Sequence, residues 1–168
     1  MLEDGMVEEK MIQESWKRCE MYGLKPSDFI DSIVLDHKQI LGVLKKNQEL
    51  THFSIPVLEK LYPVFKEMGH VVSVVDRHGT IIYTLGNENL AREVQMQVGA
   101  NWLENTRGTN AMGVALHEKN PISVHGNQHF IESAKMLSCA ASPIFLVSGE
   151  VIGAVNISGE IEKYEPTV

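Results

Sequence analysis

Two short apolar runs near the end of the chain, Ile144–Val147 and Val151–Ser158, are separated only by Ser148, Gly149 and Glu150. Runs rich in β-branched residues joined by about three residues that include a glycine form a β-hairpin. Along the second run Val151, Gly153, Val155 and Ile157 point one way and Ile152, Ala154, Asn156 and Ser158 the other, because side chains alternate on a strand. One face is wholly apolar and the other is mixed. The hairpin therefore belongs to a sheet whose two faces are covered differently.

Three further strands read from the same alternation. His70–Asp76 is a run of valines interrupted by Ser73, and Thr80–Leu85 returns after Asp76-Arg77-His78-Gly79, a turn in which the glycine supplies a positive φ. Ile122–Val124 is a third, short strand, and Ser138–Val147 and Val151–Ser158 complete five. Helices are expected before and between them. Met6–Tyr22 carries Met11, Ile12, Trp16, Cys19 and Met21 mostly on one side and ends at Gly23, with Pro26 beyond. Ser32 can cap a helix over Ile33–Leu50. A further helix over Ser54–Met68 places Phe53, Val57, Leu61, Val64 and Met68 in a stripe, with Pro56 in its first turn and Pro63 as an internal kink. Glu88–Val98 reads as another helix. Thr109 or Asn110 can cap one that runs to about Glu118, where Gly113 permits close packing against the sheet. Gln128–Leu137 is helical or irregular, and Glu160–Tyr164 begins a linker helix. The sum is an α+β chain: an antiparallel five-stranded sheet with helices on both faces, preceded by N-terminal helices. Residues 1–52 are expected as an N-terminal helical segment and 53–168 as the domain that carries the sheet. The two helical stripes over Ile33–Met68 exceed what one small sheet face covers, so a homodimer through them is expected.

Composition narrows the functions. A net charge of −7 supplies no general attraction to phosphates, so direct nucleic-acid binding is not expected. No run approaches the ~18 apolar residues of a membrane span, and the acidic start has no apolar signal-peptide core. The two cysteines, Cys19 and Cys139, form no C-x-x-C pair. A reduced, cytoplasmic setting is the expectation.

Catalytic motifs are missing from the sequence. There is no phosphate-binding glycine loop, no nucleophile elbow and no HExxH. His125 and His129, four apart, have the spacing of a metal pair, but Gly126 and Asn127 between them argue against helix. Ser123 near His125 lacks an orienting acid. No metal, cofactor or catalytic residue is expected.

A family resemblance is carried by Gly99-x-x-Trp102-x-Glu104, Gly108-Thr109-Asn110-Ala111-x-Gly113-x-Ala115-Leu116, Pro121, His129-Phe130, Cys139-Ala140-Ala141-x-Pro143-Ile144 and Gly149-x-x-x-Gly153, with Ser15-Trp16-x-Arg18-Cys19 and Gly23-Leu24-x-Pro26 ahead of them. Together they resemble the N-terminal sensor GAF domain of the acetoin-operon type of sigma-54-dependent transcriptional activator, over nearly the whole chain. The resemblance implies a GAF-like fold and a non-enzymatic regulatory domain. It implies a small effector, such as acetoin or a similar hydroxyketone, or a partner protein, that biases the domain. It also implies ATPase and DNA-binding domains that are absent from these residues.

A small pocket is expected where the Trp102–His129 segment lies over the mixed face of the sheet. Ligand contacts are assigned to Trp102, Thr109, Asn110, His117 and His129 from that segment, and to Ser73 and Cys139 from the strands. The plain alternative is that Trp102 and Phe130 fill the core and Asn110 caps a helix, leaving a protein-interaction or dimerisation module without a bound ligand. A third possibility is a methionine-sulfoxide-reductase-like enzyme, for which Cys139 alone is a poor match.

Overall fold

The computed structural model describes residues 2–28 and 34–161. Its centre is one antiparallel sheet of β1 (Val71–Asp76), β2 (Ile81–Gly86), β3 (Ile122–His125), β4 (Leu137–Phe145) and β5 (Val151–Glu160), in the order β2-β1-β5-β4-β3. Every pairing is antiparallel. The turn between β1 and β2 is the expected one. Asp76 Oδ1 accepts from the His78 and Thr80 amides at 2.9 Å each, and Gly79 adopts φ 74°. The edge of β2 is covered by residues 99–102, through bonds between Ile81 and both Gly99 and Ala100 and from the Trp102 amide to the Gly79 carbonyl.

Burial on both sides of β1, whose six positions are all buried, shows that helices flank the sheet. On the outer face, Val72, Val74 and Ile82 pack with Leu50 and Leu58, beside Val43, Leu44, Tyr62, Phe65, Ile152, Val155 and Ile157. A register shift between Ile144 and Phe145 brings Ile152 into this cluster, away from the mixed face where simple alternation places it. On the inner face, Val71, Val75, Ala154, Cys139, Ala141, Ile122 and Val124 meet Leu90, Met96, Ala100, Trp102, Met112 and Val114.

The helices are α1 (Leu2–Met21), α2 (His37–Lys46), α3 (Gln48–Lys66), α4 (Glu88–Glu93), α5 (Glu104–Arg107) and α6 (Ala111–Glu118). In α1, Ile12 and Cys19 are buried as the stripe implies, but Met21 is exposed. The Cys19 carbonyl accepts from Leu24 and the Glu20 carbonyl from Gly23, whose φ of 82° closes the helix. The expected Ser32 cap lies outside the described residues. Asp36 caps α2 instead, in a reciprocal box with Gln39. The long second helix expected to reach Leu50 stops at Lys46, because Asn47 leaves helical geometry while its side chain bonds the Val43 carbonyl (2.9 Å) and Asp76 (3.2 Å). α3 then starts at Gln48 and runs across residues 52 and 53, so both Pro56 and Pro63 are interior. Of the expected linker helix, Glu160 is strand, Ile161 has 3-10 geometry, and the remainder lies outside the described residues.

The helix expected over Glu88–Val98 ends at Glu93. Gln95 takes φ 58°, the Met96 amide bonds the Ala91 carbonyl (2.7 Å) and the Gln95 amide that of Arg92 (3.2 Å). This is a Schellman closure with a non-glycine residue in the left-handed position. It turns Met96 into the inner core, where it is fully buried.

Candidate functional site

Four polar side chains share the middle of the inner face. Alternation puts Ser73, Asn156 and Ser158 on one side of β1 and β5, and register sets Ser73 opposite Asn156 and Cys139 opposite Ser158. All are buried. Asn156 Nδ2 donates to Ser158 Oγ (2.9 Å), and that hydroxyl donates to Cys139 Sγ (3.0 Å). Two atoms are left over: Ser73 Oγ and Asn156 Oδ1 meet no hydrogen-bond partner among the described residues. An unpaired buried polar group costs about 1–3 kcal/mol, so two of them inside an otherwise apolar cluster set this spot apart from the rest of the inner core. Burial pushes the Cys139 thiol up to about 12. It is a neutral sulfur, without the thiolate character of a nucleophile or redox sensor.

Above this face lies α6, packed on β4 and β5; the Trp102–His129 segment expected to cover it also contains β3, a strand of the sheet itself. α6 begins at Asn110, whose Oδ1 accepts from the Gly113 amide (3.0 Å) while Nδ2 donates to the carbonyls of Trp102 (3.0 Å) and Gly108 (2.9 Å). Gly113 was expected to admit the sheet; it admits the preceding backbone instead. A Cβ there would lie 2.9 Å from the Glu104 amide nitrogen. Trp102 is buried, with the Arg107 guanidinium 4.8 Å from its ring centroid. Beside it a hollow of about 80 Å³ is lined by Val94, Gln95, Trp102, Arg107 and Ile131, among others.

His129 is fully buried. Its Nδ1 lies 3.1 Å from the Gly126 carbonyl, an acceptor, so Nδ1 carries the proton and Nε2 is a bare acceptor, with no partner among the described residues. Burial lowers its pKa to about 4, against a smaller raising effect of the Gly126 carbonyl. His125 is bound elsewhere, with Nδ1 2.7 Å from Ser138 Oγ.

The seven residues expected around one ligand are thus distributed. Ser73 and Cys139 stand together on the sheet. Trp102 belongs to the same inner-face cluster. Asn110 is committed to backbone groups, and Thr109 Oγ1 is bound to Ser15 Oγ at 2.8 Å in the junction with α1. His129 is buried among backbone turns. His117 is exposed on the last turn of α6, past the helix's buried residues, which end at Ala115. Asn156, Ser158 and Met96 were not singled out. The first two were readable as the polar positions of the mixed face; Met96 was hidden by the helix expected to run through it.

The junction with α1 carries charge. Arg18 holds Glu104 through two bonds, of 2.7 and 2.8 Å, and Glu118 at 2.9 Å. Trp16 Nε1 donates to the Gln128 carbonyl (2.8 Å), and its ring meets Phe130 edge-on at 5.0 Å. α1 is therefore bolted to both ends of the covering segment. Among the described residues no helix is long and apolar enough to cross a membrane, and no group of three or more His, Cys, Asp and Glu side chains is gathered as a metal ion requires.

Comparison with known proteins places this arrangement. A model of the GAF domain matches residues 49–166. The acetoin dehydrogenase operon transcriptional activator AcoR of Bacillus subtilis (strain 168) is 31% identical over 164 residues, spanning 94% of this chain and 27% of that protein. The acetoin catabolism regulatory protein of Cupriavidus necator is 28% identical over 162 residues, 94% of this chain and 24% of that one. The chain spans about a quarter of the length of these curated relatives. Among solved structures, the E. coli DhaR(N)–DhaL complex matches with a TM-score of 0.86 at 16% identity, over 92% of this chain and 53% of that one. At that identity the likeness is one of fold.

Proposed function

The chain belongs to the GAF domain family, and from that premise we propose that it is the non-enzymatic, effector-sensing module of a cytoplasmic sigma-54-dependent transcriptional activator, responding to acetoin or a similar small hydroxyketone. The observation that carries this reading is the pair of unpaired buried atoms, Ser73 Oγ and Asn156 Oδ1, beneath Trp102 and α6. Pockets for small molecules are apolar with a few placed polar groups, and this cluster has that composition. The names of the relatives support a regulatory role tied to acetoin. ATPase and DNA-binding domains elsewhere in a full-length regulator would read the signal.

An effector switches an equilibrium only by binding one arrangement better than another. The covering segment is suited to carry that difference outward, since Arg18 ties it to α1 through Glu104 and Glu118. α2, α3 and the chain beyond β5 are the elements through which a change would leave the domain. In this reading Trp102 supplies an apolar wall, and the proposed ligand contacts at Thr109, Asn110, His117, His129 and Cys139 rank behind Ser73.

The test is thermal denaturation of the chain with and without millimolar hydroxyketones. A ligand-dependent rise in Tm is expected. Trp102→Ala, which removes the apolar wall, should lower both the ligand-free Tm and the ligand-dependent rise. No stabilisation by any member of a hydroxyketone series overturns the reading.

A second reading is favoured by α3 and the turn after it, where Phe53, Val57, Leu61 and Val64 of the helix and Met68 beyond it are all exposed. An apolar stripe of this length on a soluble chain marks an interaction surface. We propose a homodimer that sets this stripe against its own copy. Light scattering that reports a monomer at tens of micromolar, an order-of-magnitude concentration for a weak interface, refutes it.

A further inference from the structure

Ser73 and Asn156 face each other across the pairing of β1 and β5. Directly opposed side chains on antiparallel strands stand about 5 Å apart at Cβ, a span that one small molecule can bond at both ends. Their donor and acceptor roles are set by their neighbours. Asn156 Nδ2 is given to Ser158 Oγ, whose own proton goes to Cys139, so the atom left over is the acceptor Oδ1. The Ser73 hydroxyl can donate or accept. Whatever pairs with both must therefore bring at least one O–H or N–H donor. The two buried charged side chains among the described residues, Asp76 and Glu104, are committed to Asn47 and to Arg18, and an ion buried without a counter-charge is strongly disfavoured. The molecule is neutral.

The space is filled. Met96 Sδ lies 4.0 Å from Asn156 Nδ2. Methionine is the side chain best able to leave such a place: it has three rotatable bonds, and a thioether is only a weak hydrogen-bond acceptor. The rest of the roof is anchored. Trp102 is pinned through its amide to Gly79, and α6 by the three bonds of Asn110.

We propose that Met96 is a displaceable plug in a closed effector site, and that the site takes a compact neutral molecule with a hydroxyl next to a second oxygen, bonded by Asn156 and Ser73. This rests on the effector-sensing reading and names the chemistry and gating of its site. Displacing the plug loads the turn at Gln95, whose side-chain oxygen accepts from Arg107 at the end of α5 (2.9 Å). The other end of α5 is Glu104, the residue that Arg18 of α1 holds.

The experiment uses three probes of one size: acetoin, the corresponding vicinal diol and the corresponding diketone, which has no donor. Affinity by calorimetry and Tm are measured on the wild type, Ser73→Ala, Met96→Ala and the milder Met96→Val, which keeps the test open should the alanine variant fail to fold. Acetoin and the diol should bind at least tenfold more tightly than the diketone. The methionine variants should bind acetoin about tenfold more tightly than the wild type, since the binding-competent state no longer requires the plug to move. Ser73→Ala should lose the probe-dependent shift while its ligand-free Tm stays level or rises, because an unpaired buried hydroxyl has been removed. Equal affinity for the diketone, unchanged affinity on truncating Met96, or a full response in Ser73→Ala overturns this site while leaving the sensor reading standing. No binding of any probe to the wild type or any variant overturns both.

Discussion

Acid should unfold this domain through His129 in particular. The ring is buried, its Nδ1 proton rests on the Gly126 carbonyl and its Nε2 has no donor or acceptor to meet among the described residues. Burial, with a smaller contribution from the nearby His125, lowers its pKa from 6.5 to about 4. The folded-state pKa lies below the unfolded one, so the stability linked to this group is fully present above about pH 6.5. It is lost as the pH falls toward 4, where the unfolded chain takes a proton that the folded chain refuses. Below about pH 4 both states are protonated and the loss levels off. The two values differ by roughly 2.5 units, and at ~1.4 kcal/mol per unit the full loss is about 3 kcal/mol. That is a large part of the stability of a domain this size. The assay is urea denaturation at a series of pH values for the wild type and His129→Asn, whose amide nitrogen can keep the bond to Gly126 but does not titrate. The variant should be offset by a constant amount above pH 7, and the gap should close or invert by 2–3 kcal/mol between pH 6.5 and 4. Parallel stability curves across that window would falsify the assignment, because they would place the acid sensitivity in other groups.

Two further outcomes follow from local geometry. Arg18→Ala leaves the carboxylate of Glu104, whose side chain is 5% exposed, without its bidentate partner; breaking a buried pair from one side costs about 3 kcal/mol, and the companion Glu104→Gln should recover part of that loss in a double-mutant cycle read by denaturation. Lys119 closes α6 in the left-handed region (φ 55°, ψ 33°); Lys119→Gly should raise stability by roughly 0.5–1 kcal/mol, and a lower Tm in that variant would show that the lysine side chain contributes more than its backbone strain removes.

Legibility along the chain follows the range of the interactions involved. The five strands and the turn at Gly79 were readable because alternation and turn chemistry are local, and each strand came within one or two residues of its place. The Asn110 cap was readable for the same reason: side chain and receiving amide are three residues apart. Helix ends set by distant partners were not. α2 stops where Asn47 bonds Asp76 across the fold, and α4 stops where burying Met96 outweighs the left-handed strain at Gln95. The candidate site divides on the same line. That β5 has an apolar and a mixed face is a property of the strand itself, and Ser73 among valines is visible at sight. That Ser73 stands opposite Asn156, that Ser158 takes the amide hydrogen and leaves Oδ1 unpaired, and that Met96 fills the space above were decided by strand pairing and by chain segments far apart in the sequence. An unpaired atom is a property of everything around it, and only the assembled fold supplies those surroundings.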